Sequence, residues 1–420
     1  MLTPPATQAT IPPPNPGGSM AADKDRIILL DALRGLGVLG ILLCNAPGFA
    51  FPMALSDSVR AWPFGTGPET MSVWLVTQWL FQRKFVTLFS MLFGISMFLV
   101  GGEKGSVSQG GAGKGGVLYR RLGWLLVFGI VHGFAIWWGD VLLSYALAGF
   151  AVAQARSWPA RKLLSWGIGL WIAFSLLIIG GLSALAFSTP ADLAAETARE
   201  AAQGAAAIAA YRGDFMQSLA INAGERLENL PYEPIIFLLT TALMMIGLGA
   251  YKKGVFTGAA SGRTYGVLIA VGLAALALVG WPHFAFVLNG MQERDLRLAE
   301  GLQTVTAPLT TLAYVGLMAL AARSTGFWRK IPAVLAPVGQ MAFTNYIAQS
   351  LVMTAIFYGG RGLGLYARLD RPALALIVVA LWIAQVLWSR WWLARFSMGP
   401  LEWIWRRLYR GPTRLRRAAS

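Results

Sequence analysis

The chain has 420 residues, of which 56% are hydrophobic and only 13% charged, with a formal net charge of +16. Apolar runs repeatedly exceed the roughly 18 residues that a spanning helix needs, which excludes an ordinary soluble domain and predicts an all-α, polytopic membrane helix bundle. In such a chain basic residues are explained first by the positive-inside rule and by anionic lipid headgroups, so nucleic acid is not an expected partner. The single Cys44 excludes a disulfide framework, and two histidines without a carboxylate cluster predict no metal site.

The first 25 residues have a composition different from the rest. They begin with a Pro-, Thr- and Gly-rich stretch that lacks both the basic and the apolar region of a signal peptide. This composition predicts a disordered cytoplasmic tail. Met20 is an alternative start to Met1.

About ten spanning segments are expected between residues 26 and 394. Their approximate ranges are 27–50, 72–100, 119–138, 140–156, 161–187, 233–251, 264–288, 303–322, 333–358 and 372–394. With both termini in the cytoplasm, the inner loops and ends carry most Lys and Arg residues, including eight arginines from Arg390 onward. The positive-inside rule therefore predicts a multi-pass protein of the bacterial inner membrane.

The largest outer segment is a periplasmic insertion at 188–232, and it is also the most acidic. Its Ala-rich beginning favours a helix. One interpretation is that it lies over the outer mouth of the bundle, and the other is that it is only a solvated connector. Residues 395–420 form a Trp- and Arg-rich amphipathic tail, expected in the cytoplasmic interface with Trp403 and Trp405 at headgroup level.

Charged groups in apolar segments mark candidate sites, because they are costly at membrane depth. Asp31 and Arg34 share a helix face and form either a structural ion pair or an anion-binding group. Arg83 and Lys84 either reach an interface or face the same cavity as Arg34. Arg120 and Arg121 are expected to belong to the same anion-binding region.

His132 precedes Asp140 by eight residues, with Gly139 between them. On one continuous helix these side chains would lie about 12 Å apart, so a contact requires a turn. With that turn His132 becomes a candidate general base oriented by Asp140. The alternatives are a packing histidine and a helix-capping aspartate. His283 is interpreted as structural.

A polar stripe lies in the ninth segment. Asn345 and Gln349, like Tyr346 and Ser350, are four residues apart and share helix faces. Such groups either line a substrate site or hold helices together by hydrogen bonds.

Four motifs carry a family resemblance: LDALRGLGVLGILLCN, KFVTLFSMLFG, VHGFAIWWGDVLLSYA and GQMAFTNYIAQS followed by FSMGPLEWIWR. In this order, over residues 26–410, they resemble the YeiB-type family of bacterial inner-membrane proteins. The first segment is also similar to transmembrane acyltransferases, including bacterial O-acetyltransferases and lysosomal heparan-α-glucosaminide N-acetyltransferase. In the O-acetyltransferases a catalytic His follows the Arg after ten residues, whereas here Asn45 follows Arg34.

The resemblance implies an acyltransferase without a bound cofactor, using acyl-CoA as co-substrate and an unidentified hydroxyl or amine acceptor at the periplasmic side. Asn45 accepts no proton at neutral pH, so it would hydrogen-bond the acyl carbonyl while His132 acts as base. A transporter or flippase for an anionic or lipidic substrate and a non-catalytic scaffold or sensor stay open. So does a homo-oligomer.

Overall fold

The computed structural model describes residues 20–56, 59, 62–107, 113–184 and 190–415. The predicted N-terminal tail lies outside these ranges up to residue 19, and the first helix already begins at Met20. Nearly all described residues are helical, and their single β pairing is an isolated bridge between Val107 and Gly113. The predicted all-α class is therefore confirmed.

The helices of the described residues are numbered in chain order. They are α1 Met20–Ala50, α2 Met53–Ser56, α3 Pro68–Val76, α4 Lys84–Gly101, α5 Lys114–Val131, α6 Leu142–Ala155, α7 Ala160–Ala184, α8 Pro190–Arg212, α9 Phe215–Asn229, α10 Glu233–Lys252, α11 Gly262–Leu288, α12 Glu293–Arg323, α13 Lys330–Gln340, α14 Ala342–Phe357, α15 Arg371–Leu393 and α16 Pro400–Arg410.

Eight helical stretches among the described residues are long and apolar enough to cross a membrane. They are Ile28–Ala50, Pro68–Gly101, Lys114–Ile136, Ala160–Gly181, Phe215–Lys252, Gly262–Leu288, Glu293–Arg323 and Arg371–Leu393. Two shorter apolar helices, α6 and α14, lie where the fourth and ninth segments are predicted. This composition makes the protein a helical membrane bundle, and the two shorter helices bring the apolar segments to the ten expected.

Helix α1 lies in the middle of the bundle, where it packs against α4, α13, α14 and α15. Its close approach to α13 depends on two glycines, because a Cβ on Gly35 would overlap the Leu335 carbonyl and one on Gly339 would overlap the Asp31 carbonyl. The small residues of the first segment thus serve helix packing. Large apolar side chains of α7, α11 and α15 remain exposed on the outside of the bundle, as lipid contact requires.

The second predicted segment is interrupted. After α3 the chain forms a π-helical turn over Thr77–Phe81, becomes extended at Gln82 and adopts a left-handed conformation at Arg83 before α4 starts. The carbonyls freed by this break are used by α12: Gln303 donates to the Gln78 and Gln82 carbonyls at 2.9 and 2.8 Å. A non-helical backbone at membrane depth is tolerated because it is buried in protein.

The two ends of the bundle differ. Arg34, Arg121, Arg156 and Lys252 lie near the first end, here called the basic end, together with α16. At the opposite, outer end α8 packs against α2 and α9 packs against the turn that follows α5. The described residues of the predicted insertion thus contact the bundle at this end. Their periplasmic location stays a prediction.

Candidate functional site

His132 is hydrogen-bonded at both ring nitrogens. Its Nδ1 lies 2.8 Å from Asp140 Oδ1, and its Nε2 lies 2.9 Å from the Ser350 hydroxyl. The three side chains are 1%, 5% and 1% exposed. The sequence thus brings a hydroxyl, an imidazole and a carboxylate into the order that activates serine nucleophiles.

The partners of His132 favour one tautomer. A carboxylate oxygen accepts the hydrogen bond when Nδ1 carries the ring proton. In that tautomer the Nε2 lone pair can accept from the hydroxyl of Ser350, whose Oγ also lies 3.4 Å from the Tyr346 carbonyl. The second Asp140 oxygen accepts from the backbone N–H of Leu143 at 2.9 Å, so Asp140 also caps the beginning of α6.

The contact between His132 and Asp140 depends on a turn, as predicted from their spacing. The chain forms a π-helical turn over His132–Ile136 and becomes extended at Trp137. Asn222 of α9 satisfies the backbone groups that this break frees. Its amide donates to the Gly133 and Phe134 carbonyls, both at 3.0 Å, and its oxygen accepts from the Trp138 N–H at 2.8 Å.

A buried ion pair lies directly behind this turn. Arg226 of α9 contacts Glu233 at 2.5 Å, and Glu233 accepts a hydrogen bond of 2.7 Å from Ser144 of α6. A Cβ on Gly133 would lie 3.1 Å from the Arg226 guanidinium. The pair therefore holds α6, α9 and α10 around the turn that presents His132 and Asp140.

A basic cavity of about 280 Å³ opens at the basic end. Its charged lining residues are Arg34, Arg121, Arg406 and Glu402. Arg34 is also paired with Asp31 at 2.7 Å, so the structural and the anion-binding interpretations apply to the same side chain. The remaining wall is mostly apolar and aromatic, which suits an anionic group attached to an apolar chain.

Helix α16 contributes one wall of the basic cavity. Trp405 is buried, and its ring centre lies 4.6 Å from the Arg121 guanidinium. Its indole N–H donates to the Arg121 carbonyl at 3.1 Å. Glu402 accepts from the N–H groups of Phe343 and Thr344 at the start of α14, and burial raises the pKa of its carboxyl. The Trp405 indole thus packs against the bundle, and its location at headgroup level stays a prediction.

A second, outer cavity has a volume of about 350 Å³. It contains Asn45, Arg83 and Cys44, and three tryptophans contribute to its wall: Trp137, Trp138 and Trp171. Asn45 therefore lies on the outer side of the bundle, whereas Arg34, eleven positions earlier on α1, lines the basic cavity.

In the sequence, Asp140 separates a residue of one cavity from a residue of the other. Gly139 lines the outer cavity, and Val141 lines the basic cavity. Tyr346, whose ring centre is 5.2 Å from that of His132, lines the basic cavity. A group in the basic cavity would thus be separated from His132 by the Tyr346 side chain.

The basic residues expected to form one donor region are distributed over several places. Arg34 and Arg121 share the basic cavity, whereas Arg83 lines the outer cavity. Arg120 is exposed. Lys84 is buried, with its ammonium 3.3 Å from the Gln78 carbonyl, and so belongs to the helix break.

The polar stripe of α14 has two roles. Asn345 donates to the Val338 carbonyl and to Ser389, and Gln349 donates to Gln385, so these amides join helices. Tyr346 and Ser350 instead face the cavity and His132. The hydrogen bond described for His283 stays within its own helix. Its Nδ1 lies 2.8 Å from the Val279 carbonyl, one turn earlier.

Sequence reasoning missed several members of the site. It took Ser350 as a lining residue, although Ser350 is the partner of His132. It also missed Asn222, Arg226 and Glu233. Arg226 and Glu233 lie seven residues apart with Pro231 between them, a spacing that signals no contact, so their pairing is visible only in the fold.

The fold and this buried cluster define a polytopic helical membrane protein with a polar site inside the bundle. Two relatives in bacteria match nearly the whole chain. It is 31% identical to "Uncharacterized protein YeiB" of Escherichia coli (strain K12) over 412 residues, covering 91% of this chain and 96% of the relative. It is equally 31% identical to "Uncharacterized protein YxaH" of Bacillus subtilis (strain 168), covering 91% and 94%.

The chain therefore belongs to the family of YeiB and YxaH. A family model described as "Protein of unknown function (DUF418)" matches residues 250–412. A more distant relative, the "Uncharacterized 39.9 kDa protein in amylase 3'region" of Bacillus acidopullulyticus, is 25% identical over 398 residues, covering 91% of this chain and 93% of its own. No solved structure matches the chain.

Proposed function

We propose that this protein is a membrane acyltransferase in which His132 acts as general base. One observation carries the proposal: Asp140 lies within hydrogen-bond distance of one ring nitrogen of His132, while the other nitrogen lies 2.9 Å from the Ser350 hydroxyl. A buried base with an oriented tautomer and a hydroxyl in contact is the arrangement that acyl transfer needs. The resemblance of the first segment to transmembrane acyltransferases points to the same chemistry.

The donor is an acyl thioester of the coenzyme A type, bound from the cytoplasm. Arg34, Arg121 and Arg406 would bind its phosphate groups, because a guanidinium pairs well with phosphate oxygens. The volume of about 280 Å³ suits the acyl group and the thioester-bearing arm, so the nucleotide part would lie outside the cavity.

Acyl transfer proceeds in two half-reactions. In the first, Ser350 Oγ attacks the thioester carbon, its proton passes to His132 Nε2, the C–S bond breaks and the thiolate takes that proton. In the second, an acceptor hydroxyl or amine from the outer side gives its proton to His132 and attacks the acyl carbon. The bond to Ser350 Oγ then breaks, and Oγ regains the proton. Tyr346 has to move to admit the acyl group, since it lies between the basic cavity and His132.

The remaining site residues support this path. Asn45 in the outer cavity would hydrogen-bond the acyl carbonyl or the acceptor as the second half-reaction begins. The Arg226–Glu233 pair would keep the His132–Asp140 turn in place during both steps. No metal is required, and among the described residues no group of three His, Cys, Asp or Glu side chains could hold one.

The test is a covalent one. Purified protein in lipid nanodiscs is incubated with radiolabelled acetyl-CoA, and thiol release and label on the protein are measured. We expect label on Ser350, loss of that label in Ser350→Ala, and slow labelling in Asp140→Asn. Ser389→Ala is the matched control, because Ser389 is an equally buried serine that contacts Asn345 and not His132.

A correctly folded wild-type protein that releases no thiol and carries no label contradicts the proposal. Undiminished acyl transfer by Ser350→Ala contradicts the covalent step.

A transporter is the second candidate. It is favoured by the interrupted helix before α4 and by cavities at both ends, which are features of alternating access. A transporter needs no acyl-serine, so the absence of label would favour it.

A further inference from the structure

The outer cavity has one charged side chain among the described residues that line it. That residue is Arg83, which is solvent-exposed and follows soon after the apolar, π-helical turn Thr77–Phe81. Charged groups at such positions are costly and usually serve a site. The basic cavity is lined by different arginines, so Arg83 has no part in donor binding.

The backbone of Arg83 is strained. Its φ of 65° lies in the left-handed region, which a non-glycine residue adopts at a cost of about 1–2 kcal/mol. Gln303 and Thr311 of α12 fix the carbonyls on either side of it, at Gln82 and Lys84. The surrounding structure therefore imposes this conformation on a residue that lines the outer cavity.

The rest of the lining suits a small organic molecule. Asn45, Gln82 and Thr87 add hydrogen-bonding groups to the lining, and the indole rings of Trp137, Trp138 and Trp171 add flat apolar surface. The Trp138 indole N–H has no hydrogen-bond partner among the described residues. A cavity of about 350 Å³ that combines polar side chains with large aromatic walls has the dimensions of a ligand site.

We propose that the outer cavity binds a small organic anion, with its carboxylate or phosphate group at Arg83 and its flat apolar or sugar-like face against the indole rings. Anion binding stands independently of acyl transfer. Its interpretation as the acceptor site, with the acceptor an anionic hydroxyl or amine compound, rests on the proposed function.

Cys44 provides a direct test, because it is the single cysteine of the chain and lines the same cavity. Intact protein in nanodiscs is treated with a negatively charged or a positively charged methanethiosulfonate reagent of similar size. Each rate is divided by the rate of the same reagent with 2-mercaptoethanol. Electrostatic attraction in a narrow cavity predicts that the normalised ratio favours the anionic reagent by about tenfold.

The ratio should fall to about one in Arg83→Gln and remain high in Arg83→Lys. Arg120→Gln is the matched control, since it removes the same charge from an exposed residue at the basic end and should leave the ratio unchanged. Inorganic phosphate or acetate should slow the reaction of Cys44 with a neutral methanethiosulfonate in the wild type and not in Arg83→Gln.

Three outcomes overturn the proposal: equal normalised rates for both reagents in the wild type, a ratio that Arg83→Gln leaves unchanged, or a Cys44 that reacts with none of the reagents. None of these measurements depends on catalysis. Failure of the anion site is therefore distinguishable from failure of acyl transfer, which is read from label on Ser350.

Discussion

At the scale of single residues, the site depends on side chains that satisfy a broken backbone. The turn after α5 frees carbonyl and N–H groups inside the bundle, and Asn222 binds three of them. Unpaired backbone groups cost most where water cannot reach them. The position of His132 relative to Asp140 therefore depends on a residue of α9, which lies about ninety positions later in the chain.

This dependence gives a stability prediction. Asn222→Ala should lower the free energy of unfolding by at least about 2 kcal/mol, because three buried backbone groups lose their partner. Thermal unfolding of purified protein in detergent measures the effect. Asn289→Ala is the control, since Asn289 is exposed at the end of α11 and should change stability by less than about 0.5 kcal/mol. Equal stability of the two variants would contradict the role given to Asn222.

Residue-scale contacts were only partly predictable from the sequence. The spacing of His132 and Asp140 allowed their contact on condition of a turn, and the turn is present. The contact of His132 with Ser350 joins residues 218 positions apart, and no local pattern encodes it. The same holds for Lys84, whose burial depends on the carbonyl freed at Gln78.

At the scale of helices, glycine contacts set how closely the central helices pack. Gly94 of α4 lies against the Met244 backbone of α10, and Gly247 of α10 lies against the Met91 backbone of α4. Both contacts are with backbone atoms, which cannot rotate away as a side chain can. The two glycine contacts hold α4 in a fixed position, together with its residues Val86 and Thr87 that line the outer cavity.

We expect Gly247→Ala to reduce the yield of folded protein and to lower its unfolding temperature, since the added methyl group would overlap Met91 and overpacking costs about 1–3 kcal/mol. Gly266→Ala on α11 is the matched control, because nothing lies within 4 Å of the added carbon. Size-exclusion profiles and thermal unfolding in detergent compare the two. An intact Gly247→Ala protein with wild-type stability would show that α4 and α10 are less tightly packed than described.

Element positions were largely predictable, and interruptions were not. Hydropathy alone gives segments that correspond to α7, α10, α11 and α15 within three residues, whereas α1 and α5 begin seven and five residues before their predicted starts. The break at Gln82–Arg83 contains neither proline nor glycine, so the usual signals were absent. The ninth segment is divided at Met341, where α13 ends and α14 begins, because the two helices meet different partners.

At the scale of the whole molecule, the charge distribution and the fold agree. Basic side chains collect at one end together with α16, and the acidic insertion covers the other. Ten apolar segments would return the chain to its starting side, so Met20 and Leu415, the ends of the described residues, are both expected at the basic end. The positive-inside rule predicts that this end faces the cytoplasm.

Reporter fusions test this topology. Alkaline phosphatase fused after residue 213, between α8 and α9, should be active because it is exported, and the same reporter fused after residue 254 should be inactive. A fluorescent protein at the C-terminus should fluoresce in the cytoplasm. Activity of the reporter at residue 254 would reverse the assignment of the two ends.

The 218 positions between His132 and Ser350 also have a consequence for biosynthesis. During translation the segment with His132 and Asp140 is inserted well before α14 has been made. His132 and Asp140 can pair at once, whereas Ser350, the partner of His132 Nε2, is synthesised six segments later. The hydrogen bond to Ser350 therefore cannot guide early insertion. It forms only when the late helices have docked, and so reports that assembly in the membrane is correct.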